Sequence, residues 1–333
     1  MRINTEVGAI TYARSLWHTW FDRDYSLAGE VVLRAGDALT RRLIDVSKPV
    51  LYLPSLAIHL QDSDNPFQYN KEDDFRLIFE TTPEEELAEE CNVQCPRYDE
   101  EEDPRSIVDQ HHANFLKLVA GAAHTTPEQI VDMDLYVYDY NQTRISGIHQ
   151  DFITGARLDD LVGTYTAVHA LLRSIEDEDC VKCEEGIRIV ACFDSENAGS
   201  KTEMGAKSAF FEHVLRRISA NCDPVAFERA CGRSMLVAVN QFDATHPNYP
   251  SKSEIATGRN DHRESKTIGP ILAASLGILT ADVGCPQLAM NSVRELMGTK
   301  CIEESIDLYT VTKAIEISPS TTCNFYSLPD VLR

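Results

Sequence analysis

The sequence has 333 residues, of which 53 are Asp or Glu and 31 are Lys or Arg, so its formal net charge is -22. A chain of this length has room for about two domains, each with its own core. The acidic balance argues against a nucleic-acid-binding surface, because phosphate binding depends on clustered Lys and Arg. Since no run of about 18 apolar residues is present and none follows Met1, we expect no membrane span, no signal peptide and a cytoplasmic location.

Half of the net charge comes from one acidic tract, Lys71 to Asp103, in which 14 acids and 3 bases give -11. Dense like charge resists packing, so the tract is interpreted as a solvated loop inserted into the fold at residues 71–103. A docking surface for a basic partner is the alternative.

The ten cysteines are interpreted as reduced thiols, because no secretion signal accompanies them. Two close pairs, Cys91 with Cys95 and Cys180 with Cys183, would form a zinc site only if the fold brought two distant segments together. Their separation in the sequence is much longer than that of a usual zinc ribbon, so we disfavour such a site.

The first half of the chain has the pattern of a β-rich domain. Strands are predicted at Ser26–Arg34 and Pro49–Pro54, with a turn at Ala35-Gly36-Asp37 after the first. Beyond the acidic tract, Asp109–Leu118 has helical spacing, and Asp132–Tyr138 alternates with period two, as a half-buried strand does.

From about Arg144 onward, predicted strands and helices alternate. The predicted helices are Asp160–Glu176, Ala206–Ala220, Gln287–Met297 and Ile302–Ile317, and the predicted strands are Gly186–Phe193, Met235–Val239 and Gly277–Val283. This alternation predicts an α/β fold with a mostly parallel sheet and flanking helices. In such folds the chemistry gathers beyond the carboxyl ends of the strands.

Polar residues occupy the predicted strand ends. They are Asp194, Glu196 and Asn197 after one strand, Asn240, Asp243 and His246 after another, and Asp159 with Asp160 before a helix. Carboxylates and imidazoles at separate strand ends are typical of a co-catalytic zinc site. Helix caps and loop polar residues are the alternative explanation. Sequence spacing does not bring Ser195 or Cys192 together with His246, so a serine or cysteine hydrolase has little support.

Several short strings then occur in a characteristic order: WFDRD at Trp20–Asp24, RLD at Arg157–Asp159, DSE at Asp194–Glu196, HPNY at His246–Tyr249, TIGPILA at Thr267–Ala273 and PQLAM at Pro286–Met290. Their order closely resembles that of the aspartyl aminopeptidases, zinc exopeptidases that remove N-terminal Asp or Glu from peptides. The strings extend over nearly all of the chain.

The resemblance implies two domains and an assembly. Residues 1–142 correspond to a β-rich dimerisation domain, and residues 143–333 correspond to a catalytic α/β domain that holds two zinc ions in the family. Family members assemble into dimers and then into a dodecamer.

The resemblance also assigns roles to individual residues. Asp159 takes the position of the carboxylate that bridges the two zinc ions, and Glu196 takes that of the general base. His111 and His112 take the positions of a His pair of which one member reaches a neighbouring subunit's active site. Exposed helix histidines remain the alternative for these two.

The departures from the family pattern bear on activity. Amides occupy three zinc-ligand positions: Asn197 replaces a Glu, Asn240 an Asp and Asn291 a His. Asp243 replaces a substrate-contacting His. The family's upstream His-Thr-Asp segment and a block with a substrate-contacting Lys and Tyr have no counterpart. An amide oxygen is a weak neutral donor to zinc, so we expect no zinc, or only weakly bound zinc, in this chain.

We therefore expect a degenerate family member that has lost peptidase activity and serves as a binding, assembly or regulatory protein. Its expected partner is itself or an intact aspartyl aminopeptidase. The alternative is an active zinc aminopeptidase, acting on peptides with N-terminal Asp or Glu, whose sequence is an incomplete gene model. The missing segment also predicts an unpaired sheet edge and exposed apolar surface, and therefore association or poor solubility.

Overall fold

The computed structural model describes residues 5–12, 15–61, 68–81, 107–176, 182, 186–220, 223–250 and 267–311. The chain divides into two units, Met1–Thr143 and Arg144–Arg333. Among the described residues, no helix has both the length and the apolar character needed to cross a membrane.

The N-terminal unit is built on a six-stranded sheet in which every pairing is antiparallel. Its strands are β1 Thr5–Gly8, β2 Arg23–Ala35, β3 Ala38–Asp45, β4 Leu51–Leu53, β5 Arg76–Glu80 and β6 Ile130–Asp139. The order is β1-β5-β4-β2-β3, and β6 also pairs with β2. The long strand β2 therefore organises the sheet, because it contacts β3, β4 and β6.

The predicted strands Ser26–Arg34 and Asp132–Tyr138 are confirmed within β2 and β6, and β6 alternates in burial as predicted. The predicted turn is also confirmed, since Gly36 and Asp37 link β2 to β3 with Gly36 at φ +64°. Gly29 allows β6 to approach, because a Cβ there would lie 2.1 Å from the carbonyl oxygen of Asp134.

The solvated-loop interpretation of the acidic tract is wrong at its start. Residues Arg76–Glu80 form β5, which pairs with β1 and β4. Phe75 and Leu77 are buried in the core of the unit, and these apolar side chains outweigh the surrounding charge. Residues 82–103 lie outside the described residues.

The single helix predicted over Asp109–Leu118 is wrong, because two helices occupy this region: α1 Ile107–Gln110 and α2 Ala113–Ala122. Between them His112 has extended backbone angles, and its Nδ1 accepts a hydrogen bond of 3.3 Å from the backbone N–H of Asn114. His112 is thus the N-cap of α2.

The C-terminal unit has five helices and seven strands among the described residues. The helices are α3 Leu158–Ser174, α4 Phe210–Ser219, α5 Ala226–Arg233, α6 Ile268–Leu276 and α7 Lys300–Val311. The strands are β7 Arg144–Ser146, β8 Phe152–Gly155, β9 Met235–Val239, β10 Phe242–Asp243, β11 Leu279–Val283, β12 Pro286–Leu288 and β13 Glu295–Gly298. They form a five-stranded sheet, β10-β12-β13-β8-β7, and a separate pair, β11-β9.

The predicted α/β class is confirmed, but the mostly parallel sheet is wrong for the described residues. Only the pairs β9–β11 and β10–β12 are parallel, whereas β12–β13, β13–β8 and β7–β8 are antiparallel. The connection from β12 to β13 spans residues 289–294, which is too short for the crossover that parallel strands need.

The helix predicted at Gln287–Met297 is wrong, since this segment forms β12, a turn and β13. Ala289 and Asn291 in the turn have φ of 56° and 63°, values that a right-handed helix excludes. The strand predicted at Gly186–Phe193 is also wrong, because these residues pair with no strand in the described structure.

The remaining predictions for this half are confirmed with small shifts at the ends. Strand β9 has the predicted limits, and β11, α3 and α4 lie within a few residues of theirs. Helix α7 begins two residues before its predicted start, and its predicted end at Ile317 lies outside the described residues. The core of the unit includes Leu158 and Val162 of α3 packed with Cys285 and Met297.

Candidate active site

Asp159 and Asp160 stand at the start of α3, after Arg157, whose backbone is left-handed at φ +59°. Asp159 is half-buried, whereas Asp160 is exposed. Burial, and then the neighbouring charge of Asp160, raise the pKa of Asp159 to about 8. The Asp159 carboxyl is therefore mostly protonated at neutral pH.

Glu295 is the buried carboxylate beneath this position, at 3% exposure. Its Oε2 accepts the backbone N–H of Asp159 at 2.9 Å, and its Oε1 accepts the backbone N–H of Asn291 at 2.7 Å. The backbone N–H of Leu158 is a further donor, and these bonds oppose the burial that raises the pKa of Glu295. Glu295 thus ties the start of α3 to the turn that carries Asn291.

Sequence reasoning missed Glu295. Its position in the string Ser292–Met297 has no motif that marks it as functional. The pairing of β13 with β8, which places Glu295 opposite Gly155, turns the side chain inward, and this pairing is a tertiary contact.

Glu196 lies in a turn after Asp194. The backbone N–H of Asp194 donates to the carbonyl of Met204 at 3.1 Å, and Ser195 has a left-handed φ of 60°. Glu196 is half-buried, and burial followed by the charge of Asp160 raises its pKa. The structure therefore brings Glu196 into one electrostatic cluster with Asp159, Asp160 and Glu295.

The three asparagines at ligand positions are not equivalent. Asn197 and Asn291 are exposed. Asn240 follows β9, and its backbone N–H donates to the carbonyl of Val283 at 3.0 Å. The amide nitrogen of Asn240 is buried and has no hydrogen-bond partner within the described part of the chain.

The donor set that the resemblance assigns to this site departs from that of a two-zinc site. The described ranges contain no group of three or more His, Cys, Asp or Glu side chains that could hold a metal ion. Asn240 supplies a neutral amide where the resemblance expects a zinc-binding carboxylate, and an amide is the weaker donor to zinc. Only Asp159 supplies a carboxylate at one of the ligand positions assigned above.

The remaining predicted site residues belong to other elements of the chain. His111 and His112 belong to the N-terminal unit, where His112 lies 3.5 Å from Glu80 and His111 packs near Phe115. Burial lowers the pKa of His111. Exposed Asp243 is on β10, paired in parallel register with Gln287.

His246 lies in a turn, where its Nδ1 accepts the N–H of Asn248 at 3.1 Å. The two cysteine pairs considered for zinc, at Cys91, Cys95, Cys180 and Cys183, lie outside the described residues.

The fold is α/β with a carboxylate cluster at the start of α3, and comparisons with known proteins place the chain among the zinc metalloproteases. The family model for aminopeptidase I zinc metalloproteases (M18) matches residues 4–257 and 254–311. An aspartyl aminopeptidase from Caenorhabditis elegans is 42% identical over 92% of this chain and 73% of its own length. Aspartyl aminopeptidase 4 from Saccharomyces cerevisiae is 32% identical over 91% of this chain and 73% of its own length. The chain belongs to the aspartyl aminopeptidase family.

Solved structures show the same fold. A chain from the complex of Ape4 and Nbr1 aligns with a TM-score of 0.80 and 31% identity, covering 92% of this chain and 65% of its own length. A chain of the Saccharomyces mApe1 dodecamer aligns with a TM-score of 0.70 and 23% identity, over 92% of this chain and 72% of its own length. This chain therefore spans about two thirds to three quarters of the length of these relatives.

Proposed function

We propose that this chain is an aspartyl aminopeptidase homologue that has lost zinc-dependent peptidase activity and serves in binding or assembly. The observation that carries the proposal is the donor set at the site. Asn197, Asn240 and Asn291 stand at positions where the resemblance expects two carboxylates and an imidazole, and the Asn240 amide nitrogen is buried without a partner among the described residues.

The chemistry of Glu196 supports the same conclusion. A general base in this family removes a proton from a metal-activated water, whose pKa is about 7 rather than the value of about 16 in bulk water. Without two filled ligand sets, Glu196 has no activated nucleophile to deprotonate. Burial and the neighbouring charge of Asp160 raise its pKa, as is typical of a carboxyl in an acidic cluster.

The proposed partner is a second copy of the chain or an intact aspartyl aminopeptidase. Two of the solved relatives are, respectively, in a complex with Nbr1 and in a dodecamer, so the fold is compatible with assembly. The N-terminal unit, with its complete antiparallel sheet, corresponds to the dimerisation domain in this proposal, and the C-terminal unit corresponds to the catalytic domain. A cytoplasmic location remains a prediction.

The test is zinc content and hydrolysis by the purified chain, with the 42% identical Caenorhabditis elegans enzyme measured in parallel. We expect less than stoichiometric zinc by mass spectrometry and no release of N-terminal Asp from a peptide. Stoichiometric zinc, or turnover that Glu196→Gln abolishes, would overturn the proposal. The matched control is Glu304→Gln, an exposed residue outside the cluster.

The second candidate is an active zinc aminopeptidase of which this sequence is a part. The observation that favours it is length, since the chain accounts for only 73% of the worm relative and 65% of the Ape4 chain. An in-frame His-Thr-Asp segment upstream of Met1 in genomic sequence would support this candidate. Because Asn197 and Asn291 directly follow matched strings and Asn240 lies six residues before another, a longer chain would still carry these three replacements.

A further inference from the structure

Two cysteines meet in the core of the C-terminal unit. Cys285 is buried in the cluster of Leu158, Val162 and Met297, and Cys301 packs against the same cluster. Both are free thiols, and each thiol is a hydrogen-bond partner of the other. The Sγ of Cys285 also lies 3.4 Å from the carbonyl oxygen of Cys301. Contact between two thiols is the first geometric requirement for a disulfide.

The surroundings hold Cys285 in place and leave Cys301 accessible. The backbone N–H of Cys285 donates to Oε1 of Gln241 at 3.1 Å, and its Sγ lies 2.9 Å from Oγ of buried Ser305. Cys301 is only half-buried, at the second residue of α7. The glycine at 298 leaves room for its sulfur, since a Cβ there would lie 3.2 Å from the Sγ of Cys301. A small reagent therefore meets Cys301 first.

The chain between the two cysteines carries part of the candidate site. Residues 286–300 contain β12, the turn at Asn291 and β13, and Glu295 of β13 accepts the backbone N–H of Asp159. A bond between the two sulfurs would close this segment into a covalent loop. Such a loop has fewer open conformations, so its opening would become rarer.

We propose that Cys285 and Cys301 are a reversible modification site, a dithiol that a low-molecular-weight disulfide converts into a protein disulfide. Formation of this bond fastens the segment that carries the Asn291 turn to the start of α7. The site uses neither zinc nor peptidase activity, so it stands independently of the proposed function.

The reaction is two successive thiol–disulfide exchanges. The thiolate of Cys301 attacks one sulfur of the small disulfide, and the other sulfur leaves as a thiolate that takes up the proton released by Cys301. The thiolate of Cys285 then attacks the sulfur of Cys301, and the second small thiol leaves with the proton of Cys285. The protein dithiol is oxidised by two electrons, and one small disulfide is reduced to two thiols.

Burial raises the pKa of both thiols, and this favours retention of the bond once it has formed. A thiol with a high pKa is a poor leaving group, so a disulfide between two such thiols is attacked slowly. The same property keeps the reduced pair protonated at neutral pH and makes its oxidation slow. Equilibrium measurements therefore test the site better than rates of oxidation.

The experiment equilibrates the full chain in buffers of increasing ratio of oxidised to reduced glutathione, once folded and once unfolded in urea. After quenching and alkylation, trypsin cuts after Arg294 and Lys300, so Cys285 and Cys301 fall in separate peptides. Mass spectrometry measures the linked peptide pair, which lacks two hydrogens. We expect the equilibrium constant for the linkage to be at least about tenfold larger in the folded chain, because the fold holds the thiols together.

Hydrogen–deuterium exchange measures the effect on the site. We expect the amides of residues 289–295 to exchange at least about threefold more slowly in the oxidised chain than in the reduced chain. Cys301→Ser should abolish both the linkage and the slower exchange. Cys231→Ser, at another buried free cysteine of the same unit, should leave both intact.

Three outcomes would overturn the proposal. They are equal equilibrium constants in the folded and unfolded chain, glutathione that stays attached to Cys301 without resolution by Cys285, and a linkage that leaves the exchange of residues 289–295 unchanged. The comparison of folded and unfolded parent chain needs no variant, so it decides the matter even if Cys301→Ser does not fold. None of these measurements depends on zinc content or hydrolysis.

Discussion

The N-terminal and C-terminal units bury their apolar residues differently. In the N-terminal unit β2 places Tyr25, Leu27 and Val31 in a sheet core with almost no exposure, and aromatic rings stack around them. In the C-terminal unit the fully buried side chains include Gln287, at 1% exposure, with no hydrogen-bond partner on either amide atom within the described ranges. Several large apolar residues of α3, among them Leu161 and Leu172, are exposed.

The buried polar side-chain atoms that have no hydrogen-bond partner among the described residues all belong to the C-terminal unit. Each strand of the N-terminal sheet pairs with at least one other, and the charge of the acidic tract does not prevent β5 from joining it. Large apolar side chains are exposed in both units, at Leu43 and Ile58 of the first and at Leu161 and Leu172 of the second.

The largest expected effect tests the completeness of the N-terminal core. Tyr25 is fully buried, stacks on Trp20 with ring centroids 5.4 Å apart and donates its hydroxyl to the Trp20 carbonyl. We expect Tyr25→Ala to lower the free energy of unfolding by about 3–5 kcal/mol, because it leaves a cavity. Urea denaturation measures this loss.

The control is Tyr52→Ala, at a partly exposed tyrosine of the neighbouring strand β4. This change should lower the free energy of unfolding by much less than Tyr25→Ala does. Equal costs for the two variants would mean that the N-terminal unit lacks the tight core described here.

The second prediction concerns the Glu295 carboxylate in the C-terminal unit. Glu295→Ala leaves the part-buried N–H groups of Asp159 and Asn291 without their acceptors. We expect a loss of about 2–4 kcal/mol, since each unsatisfied buried donor costs about 1–3 kcal/mol. Thermal unfolding checks it, with the exposed Glu304→Ala as control; a loss no larger than that of the control would contradict the tie between α3 and the Asn291 turn.

The third prediction uses the pKa of Asp159, which burial and Asp160 raise to about 8. The unfolded carboxyl has a pKa of about 4, so between about pH 4 and pH 8 the folded chain binds the extra proton. The contribution of this carboxyl to the free energy of unfolding is fully present below its unfolded pKa of about 4. It is lost as the pH rises through the folded pKa of about 8. Asp159→Asn should therefore be more stable than the parent at alkaline pH by more than about 1 kcal/mol.

The measurement is urea unfolding at about pH 5 and about pH 9, on either side of the folded pKa. Exposed Asp151→Asn is the control and should retain the pH dependence of the parent chain. If the free energy of unfolding of Asp159→Asn changes between the two pH values as much as that of the parent chain, this carboxyl ionises with its ordinary pKa.

The smallest expected effect tests the two faces of α3. In the isolated chain, Leu172→Ala should change the free energy of unfolding by less than about 0.5 kcal/mol, because the side chain is exposed. Ala170→Leu, two residues away on the inner face, should cost about 1–3 kcal/mol through overpacking. If removing the larger side chain at Leu172 were the costlier change, the outer face of α3 would already be covered.

Local pattern predicted the elements whose side chains alternate or repeat on one face. Strands β2, β6 and β9 and helices α3 and α4 were predictable because period two and period 3.6 are properties of neighbouring residues. The pattern failed at Gly186–Phe193, which has the composition of a strand but no partner among the described residues. It failed again at Gln287–Met297, where two positive φ values and a short return connection replace the helix.

The residues of the candidate site were likewise only partly predictable from the sequence. Family strings identified Asp159 and Glu196, and the structure places them in one cluster with raised pKa values. Glu295 was not predictable, because its role depends on two backbone N–H groups, one of which is 136 residues distant in the sequence.

The sequence by itself determined the family, the three amide replacements at ligand positions and most of the secondary structure, because residue identity and local periodicity carry that information. Only the tertiary structure decided that Glu295 connects the start of α3 to the Asn291 turn, that Asn240 buries an unpartnered amide nitrogen among the described residues, and that α3 buries Leu158 and Val162 but exposes Leu161 and Leu172. These properties depend on which distant segments meet and which partners a segment lacks, and strand pairing and burial are decided only by the whole fold.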